Sequence, residues 1–60
     1  MKLSVIIPVY NERTTLEPAV RAVLAVNEAD EILIIDDGST DGTLELYPAI
    51  AQLDPIIRVI

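Results

Sequence analysis

Four consecutive aliphatic residues, Ile32 to Ile35, run straight into Asp36, Asp37 and Gly38, and no other stretch narrows the fold as much. The run is too short for a free-standing helix and rich in β-branched residues, so it reads as a strand. Side chains alternate across a strand, so both faces of this one are apolar. That pattern belongs to a central strand of a parallel sheet with helices on both faces. Ser39, Thr40 and Asp41 follow, and these are turn and helix-cap residues. Two carboxylates therefore stand at the carboxyl end of a buried strand, the edge where ligands bind in open α/β sheets.

Leu3 to Val9 is a second strand candidate, apolar on both faces except for Ser4. Pro8 cannot donate to a ladder, so pairing is expected to weaken there. Tyr10, Asn11 and Glu12 emerge at the tip, which lies beside Asp36 and Asp37 if the strands are parallel. Thr14 to Val26 has Leu16, Ala19, Val20, Val23 and Leu24 at helical spacing. Thr14 and Glu17 form a capping-box pair, and Pro18 falls in the tolerant first turn. Asn27 to Asp30 turns the chain back. A second helix is predicted from Ser39 or Thr40 to about Leu53, with Leu44, Tyr47, Ile50, Ala51 and Leu53 inward and Tyr47 as plain core. Pro48 should kink or break it near Leu44 to Tyr47. Ile56 to Ile60 is a third short strand. With right-handed crossovers, this βαβαβ order predicts a three-stranded parallel sheet in spatial order 3-2-1, with Ile32 to Ile35 in the middle.

Sixty residues make one small domain at most, or part of one. Ten acidic residues against four basic ones give a net charge of −6, and Lys2, Arg13, Arg21 and Arg58 are scattered. Without a basic cluster to neutralise phosphates, nucleic acid and anionic membrane surfaces are excluded as partners. The absence of cysteine rules out a disulfide framework and thiolate metal sites, and allows a cytoplasmic location. The apolar start is too short and too polar for a signal peptide or a membrane span. Unpaired edges on both outer strands, with a core this small, predict a marginal fold that self-associates.

SVIIPVYNE followed by EILIIDDGSTDGT resembles the opening of the family 2 glycosyltransferases. The wording is closest to the branch that glycosylates polyprenyl phosphates, such as dolichyl-phosphate mannosyltransferase. The resemblance covers essentially all 60 residues. It implies a Rossmann-like half of a GT-A fold, so that residues 1–60 would be the nucleotide-binding portion of an incomplete glycosyltransferase domain. The donor it implies is a UDP- or GDP-linked sugar. The acceptor would be a lipid phosphate, with the parent enzyme at the cytoplasmic face of a membrane. Carried over by residue, it places Pro8 and Tyr10 against the base and ribose, Glu12 near the nucleotide and Asp37 on the base. Asn11, Asp36 and Gly38 are supporting residues. The chemistry agrees, since a carboxylate accepts from the N–H groups of uracil or guanine and an aromatic ring stacks on a base. Asp36 and Asp37 start on opposite sides of their strand, so Asp37 is taken as the ligand residue and Asp36 as the holder of the turn.

The family's Asp-x-Asp-type motif, which holds Mg²⁺ or Mn²⁺ on the diphosphate, and its later catalytic carboxylate have no counterpart here. No catalytic or metal-ligating residue is therefore assigned. The chain alone is expected to be inactive, because the leaving diphosphate would lack its cation. The alternative is a non-catalytic α/β module binding phosphate or a divalent cation. Asp37, Ser39, Asp41 and Gly42 do match the first half of an EF-hand loop, but Pro48 stands where its bidentate Glu belongs. A strand ending in two aspartates also resembles a magnesium-holding strand, yet no G-x-x-x-x-G-K-[ST] phosphate cradle accompanies it.

Overall fold

The computed structural model describes residues 2–60. Strand β1 (Ser4–Val9) leads to helix α1 (Leu16–Val26) and strand β2 (Glu31–Asp36); a 3₁₀ turn (Thr43–Leu46), helix α2 (Tyr47–Ala51) and strand β3 (Ile57–Val59) follow. The strands form one parallel sheet in the predicted order, with β2 in the centre. Val5, Ile32 and Ile57 lie abreast, then Ile7, Ile34 and Val59; Val9 stands beside Asp36.

One core holds this together. Val9, Ile32, Ile34 and Ile57 from the sheet meet Leu16 and Val20 of α1 and Tyr47 and Ile50 of α2. The intervening strand positions do not join it: Ile6 is 59% exposed, Ile35 is 42% exposed, and Pro8 is exposed. Both helices thus cover the same face, and the helix expected on the other face is not there. Two right-handed crossovers that step in the same direction across a sheet lay their helices on one side, so the strand order itself requires this. The apolarity of the second face is real, but the chain covers only the first.

Pro8 does not weaken the pairing as expected; the ladder continues through Pro8 opposite Ile35 to Val9 opposite Asp36. The backbone bonds explain why. Glu31 N–H donates to Leu3 C=O and Asp37 N–H to Val9 C=O, so odd-numbered residues of β1 face β2. Pro8, an even one, turns its missing N–H to the open edge, where a proline costs no ladder bond.

The helix starts also differ from expectation. α1 begins at Leu16 after Thr15, and no side-chain cap forms. The Thr15 hydroxyl turns instead to the Glu12 carboxylate, and Glu17 pairs with Arg21 one turn on at 2.9 Å, so the Thr14 and Glu17 capping box is not made. Glu12 C=O accepts from both Thr15 and Leu16 N–H, which supplies the cap from the backbone. Pro18 lies in the first turn, where no intrahelical donor is lost. Asn27, at φ 58°, closes the helix with its N–H on Leu24 C=O.

The second helix starts later than predicted because the segment after β2 is held in a turn instead. The Ser39 hydroxyl and N–H donate to Asp36, the Thr40 backbone N–H donates to Asn11 Oδ1, and the Asp41 carboxylate takes the N–H and hydroxyl of Thr43. Helical turns begin only after Gly42, whose φ of 96° suits glycine. The break expected near Leu44 to Tyr47 is where 3₁₀ geometry gives way to α, with Pro48 in the first turn of α2. The tighter three-residue period puts Thr43 and Leu46 inward and leaves Leu44 53% exposed. Ala51, also expected inward, is exposed.

Candidate functional site

The carboxyl ends of β1 and β2 are adjacent, and each leads into an irregular loop, 10–15 and 37–42. At this edge Asp36 and Asp37 part company. Asp36 falls on the core side of β2 and Asp37 on the open side, in line with Ile35.

Asp36, half-buried, spends both oxygens on protein. Oδ2 accepts from the N–H groups of Gly38 and Ser39, each at 2.9 Å. Oδ1 accepts from the Ser39 hydroxyl and the Tyr47 hydroxyl, each at 2.5 Å. The Ser39 hydroxyl foremost, with Tyr47 and the two amides, favours the ionised form against partial burial and holds its pKa at about 2 instead of 3.8. Tyr47 shows the converse: burial, then the bond to Asp36, pushes its phenol from 10.0 up to about 12. The ring is core as expected, but the hydroxyl ties α2 to the end of β2. Asp41 is likewise pulled below its ordinary value, mainly by the Thr43 hydroxyl.

Asp37 is exposed, and among the described residues its carboxylate accepts no hydrogen bond, while its N–H is fixed on Val9 C=O at 2.8 Å. Pro8 projects from the same open face of the sheet. Tyr10 is 57% exposed, and Glu12 is exposed with its carboxylate on the Thr15 hydroxyl. Gly38, at φ 81°, lets the chain turn away directly after the aspartates. Pro8, Tyr10, Glu12 and Asp37 are thus all exposed at the adjacent ends of β1 and β2, Glu12 with its carboxylate held on Thr15.

Three bonds join the two loops. Asn11 N–H donates to Ser39 Oγ at 3.0 Å, Thr40 N–H to Asn11 Oδ1 at 2.7 Å, and Arg13 N–H to Asp41 Oδ2 at 3.3 Å. Ser39 is 6% exposed and central to the network, yet the sequence reads it only as a cap. Tyr47 was equally hidden; a tyrosine in place of phenylalanine at a core position soon after a strand-end aspartate is the signal that could have revealed it.

Residues 4–60 match the sequence pattern of "Glycosyl transferase family 2". The chain belongs to this family. It is 47% identical to the undecaprenyl-phosphate 4-deoxy-4-formamido-L-arabinose transferases of Salmonella paratyphi A and of Salmonella dublin, across 85% of its own length. The Salmonella choleraesuis protein of that name is 46% identical across the same share. The chain spans 17% of the length of these curated relatives. No solved structure matches it. The family 2 membership accords with the parallel α/β sheet and with the resemblance carried by the two strand-end motifs. Among the described residues no helix is long and apolar enough to cross a membrane. Nor do three Asp, Glu, His or Cys side chains converge there as a cation would require, so the residues present do not fit a metal centre.

Proposed function

We propose that this chain is the donor-nucleotide-binding segment of a glycosyltransferase that moves a sugar from a nucleoside diphosphate to a polyprenyl phosphate. The observation that supports this is that Tyr10, Glu12 and Asp37 follow directly from two adjacent strand ends, with Asp37 exposed and without a hydrogen bond to its carboxylate among the described residues, while its neighbour Asp36 is fully engaged. In this reading Asp37 accepts from the N–H groups of the base, Tyr10 stacks on the base, Pro8 packs against base or ribose, and Glu12 reaches the ribose side. The names of the 47% identical relatives support the acceptor class, a polyprenyl phosphate. The divalent cation on the diphosphate would be held by residues outside this chain, so the segment alone binds but does not turn over. The test is transfer by the complete enzyme to undecaprenyl phosphate from radiolabelled UDP- and GDP-sugars. Product in the lipid phase is expected with one of them. Hydrolysis or transfer without a nucleoside diphosphate donor would overturn the reading.

A further inference from the structure

We infer that Asn11 is a positioning residue, a clasp that sets the spacing between the Tyr10 and Glu12 arm and the Asp37 arm of the nucleotide site. The inference rests on the nucleotide-binding reading above. Asn11 sits at φ 52°, in the left-handed region where Asn, Asp and Gly are the tolerated residues. From there it bonds the second loop in both directions: its N–H donates to Ser39 Oγ and its Oδ1 accepts from Thr40 N–H, at 3.0 and 2.7 Å. The direction of the first bond is fixed by Asp36. Ser39 has one hydroxyl proton and gives it to the Asp36 carboxylate at 2.5 Å, so a lone pair is left for Asn11. The Tyr47 hydroxyl on the same carboxylate oxygen anchors that end to α2. A single chain of bonds thus runs from the helical layer through Asp36, Ser39 and Asn11 to the residues on either side of Asn11, Tyr10 and Glu12. Neither of those two is tied to the 37–42 loop by its own side chain among the described residues. Asn11 therefore helps set where the aromatic and acidic groups stand relative to Asp37, three residues before Thr40, alongside the Asp37 N–H on Val9 C=O and the Arg13 N–H on Asp41.

Both features are needed at this position. Glycine keeps the backbone conformation but has no oxygen for Thr40; aspartate keeps both. In the complete enzyme, Asn11→Gly is expected to weaken UDP or GDP binding about five- to tenfold by calorimetry, the share of one hydrogen bond. Asn11→Asp should stay within about twofold of the native protein. Ser39→Ala should weaken binding like Asn11→Gly, and Ser39→Thr should restore it, which keeps the inference testable if one variant fails to fold. A stabilising role alone would lower the melting temperature and leave affinity of the folded protein unchanged, and that result overturns the clasp. Equal weakening by Asn11→Gly and Asn11→Asp overturns it as well, since the acceptor oxygen would not matter. Asp37→Asn, measured alongside, separates the two levels. If it weakens binding while Asn11→Gly and Ser39→Ala do not, only the clasp falls; if it too binds normally, the nucleotide reading falls and the clasp with it.

Discussion

Ile34 and Ile35 are neighbours of identical chemistry on opposite faces of β2, and shortening each in turn measures how one-sided the fold is. Ile34 is fully buried in the core, whereas Ile35 is 42% exposed on the uncovered face. Ile→Ala removes three carbons, which at about 0.8 kcal/mol per buried methylene is about 2.4 kcal/mol of transfer energy. At Ile34 a cavity forms as well, and the total should fall in the range of about 2–5 kcal/mol. A core of this size rarely supplies more than about 3–5 kcal/mol, so Ile34→Ala should abolish cooperative folding of the 60-residue chain. Ile34→Val is the measurable version, at about 1 kcal/mol. With a urea slope of about 1 kcal/mol per molar for so small a chain, its midpoint should drop by about 1 M. Ile35→Val removes a methylene already half in water and leaves no enclosed void, so its midpoint should move by less than about 0.5 M. The assay is urea unfolding followed by circular dichroism at low protein concentration. Equal shifts for the two valine variants would refute the one-sided layering.

Stability should also fall in acid. The folded pKa of Asp36 lies below its unfolded value, so its contribution is complete above 3.8 and is lost as pH drops toward about 2; Asp36→Asn should flatten that limb in melts recorded across the range. Tyr47 acts in the opposite sense, losing its contribution as pH rises from 10.0 through about 12, and Tyr47→Phe should remove the alkaline limb. The outer edges of β1 and β3 are unpaired, and on β1 the free edge carries only the interruption at Pro8. Sedimentation velocity should therefore show concentration-dependent association; a monomer at every concentration would mean these edges are better protected than their backbone implies.

The strands, their parallel order and the loops that carry the site were legible in the sequence because they follow from strong local signals. The aliphatic run Ile32 to Ile35 could be little else than a central strand, and two carboxylates at its end marked the edge proposed for the ligand. What stayed hidden lay in competition between polar side chains. Thr15 could bond forward as a cap or back to Glu12, and Ser39 could cap a helix or serve Asp36; the choice depends on neighbours that only the fold brings within reach. The layering was misjudged for a different reason. Alternation showed that both faces of β2 are apolar, but not that the chain covers only one, although the crossover rule applied to the predicted strand order already contains that answer. That Asp36 holds the turn after β2 while Asp37 stays exposed followed from strand alternation, whereas the bridge through Asn11 needed its left-handed backbone to be seen.

The most direct test of the nucleotide site is calorimetric titration of the complete enzyme with UDP and with GDP, comparing the native protein, Asp37→Asn and Asp36→Asn. Asp37→Asn exchanges an exposed charged acceptor for an amide that can present its N–H₂ to the base, and should cost about five- to hundredfold in affinity with little change in melting temperature. Asp36→Asn should act the other way round, lowering the melting temperature first, because its partners are Gly38, Ser39 and Tyr47 of the same chain. Unchanged affinity in the Asp37 variant would contradict the assignment of this sheet edge to the donor nucleotide.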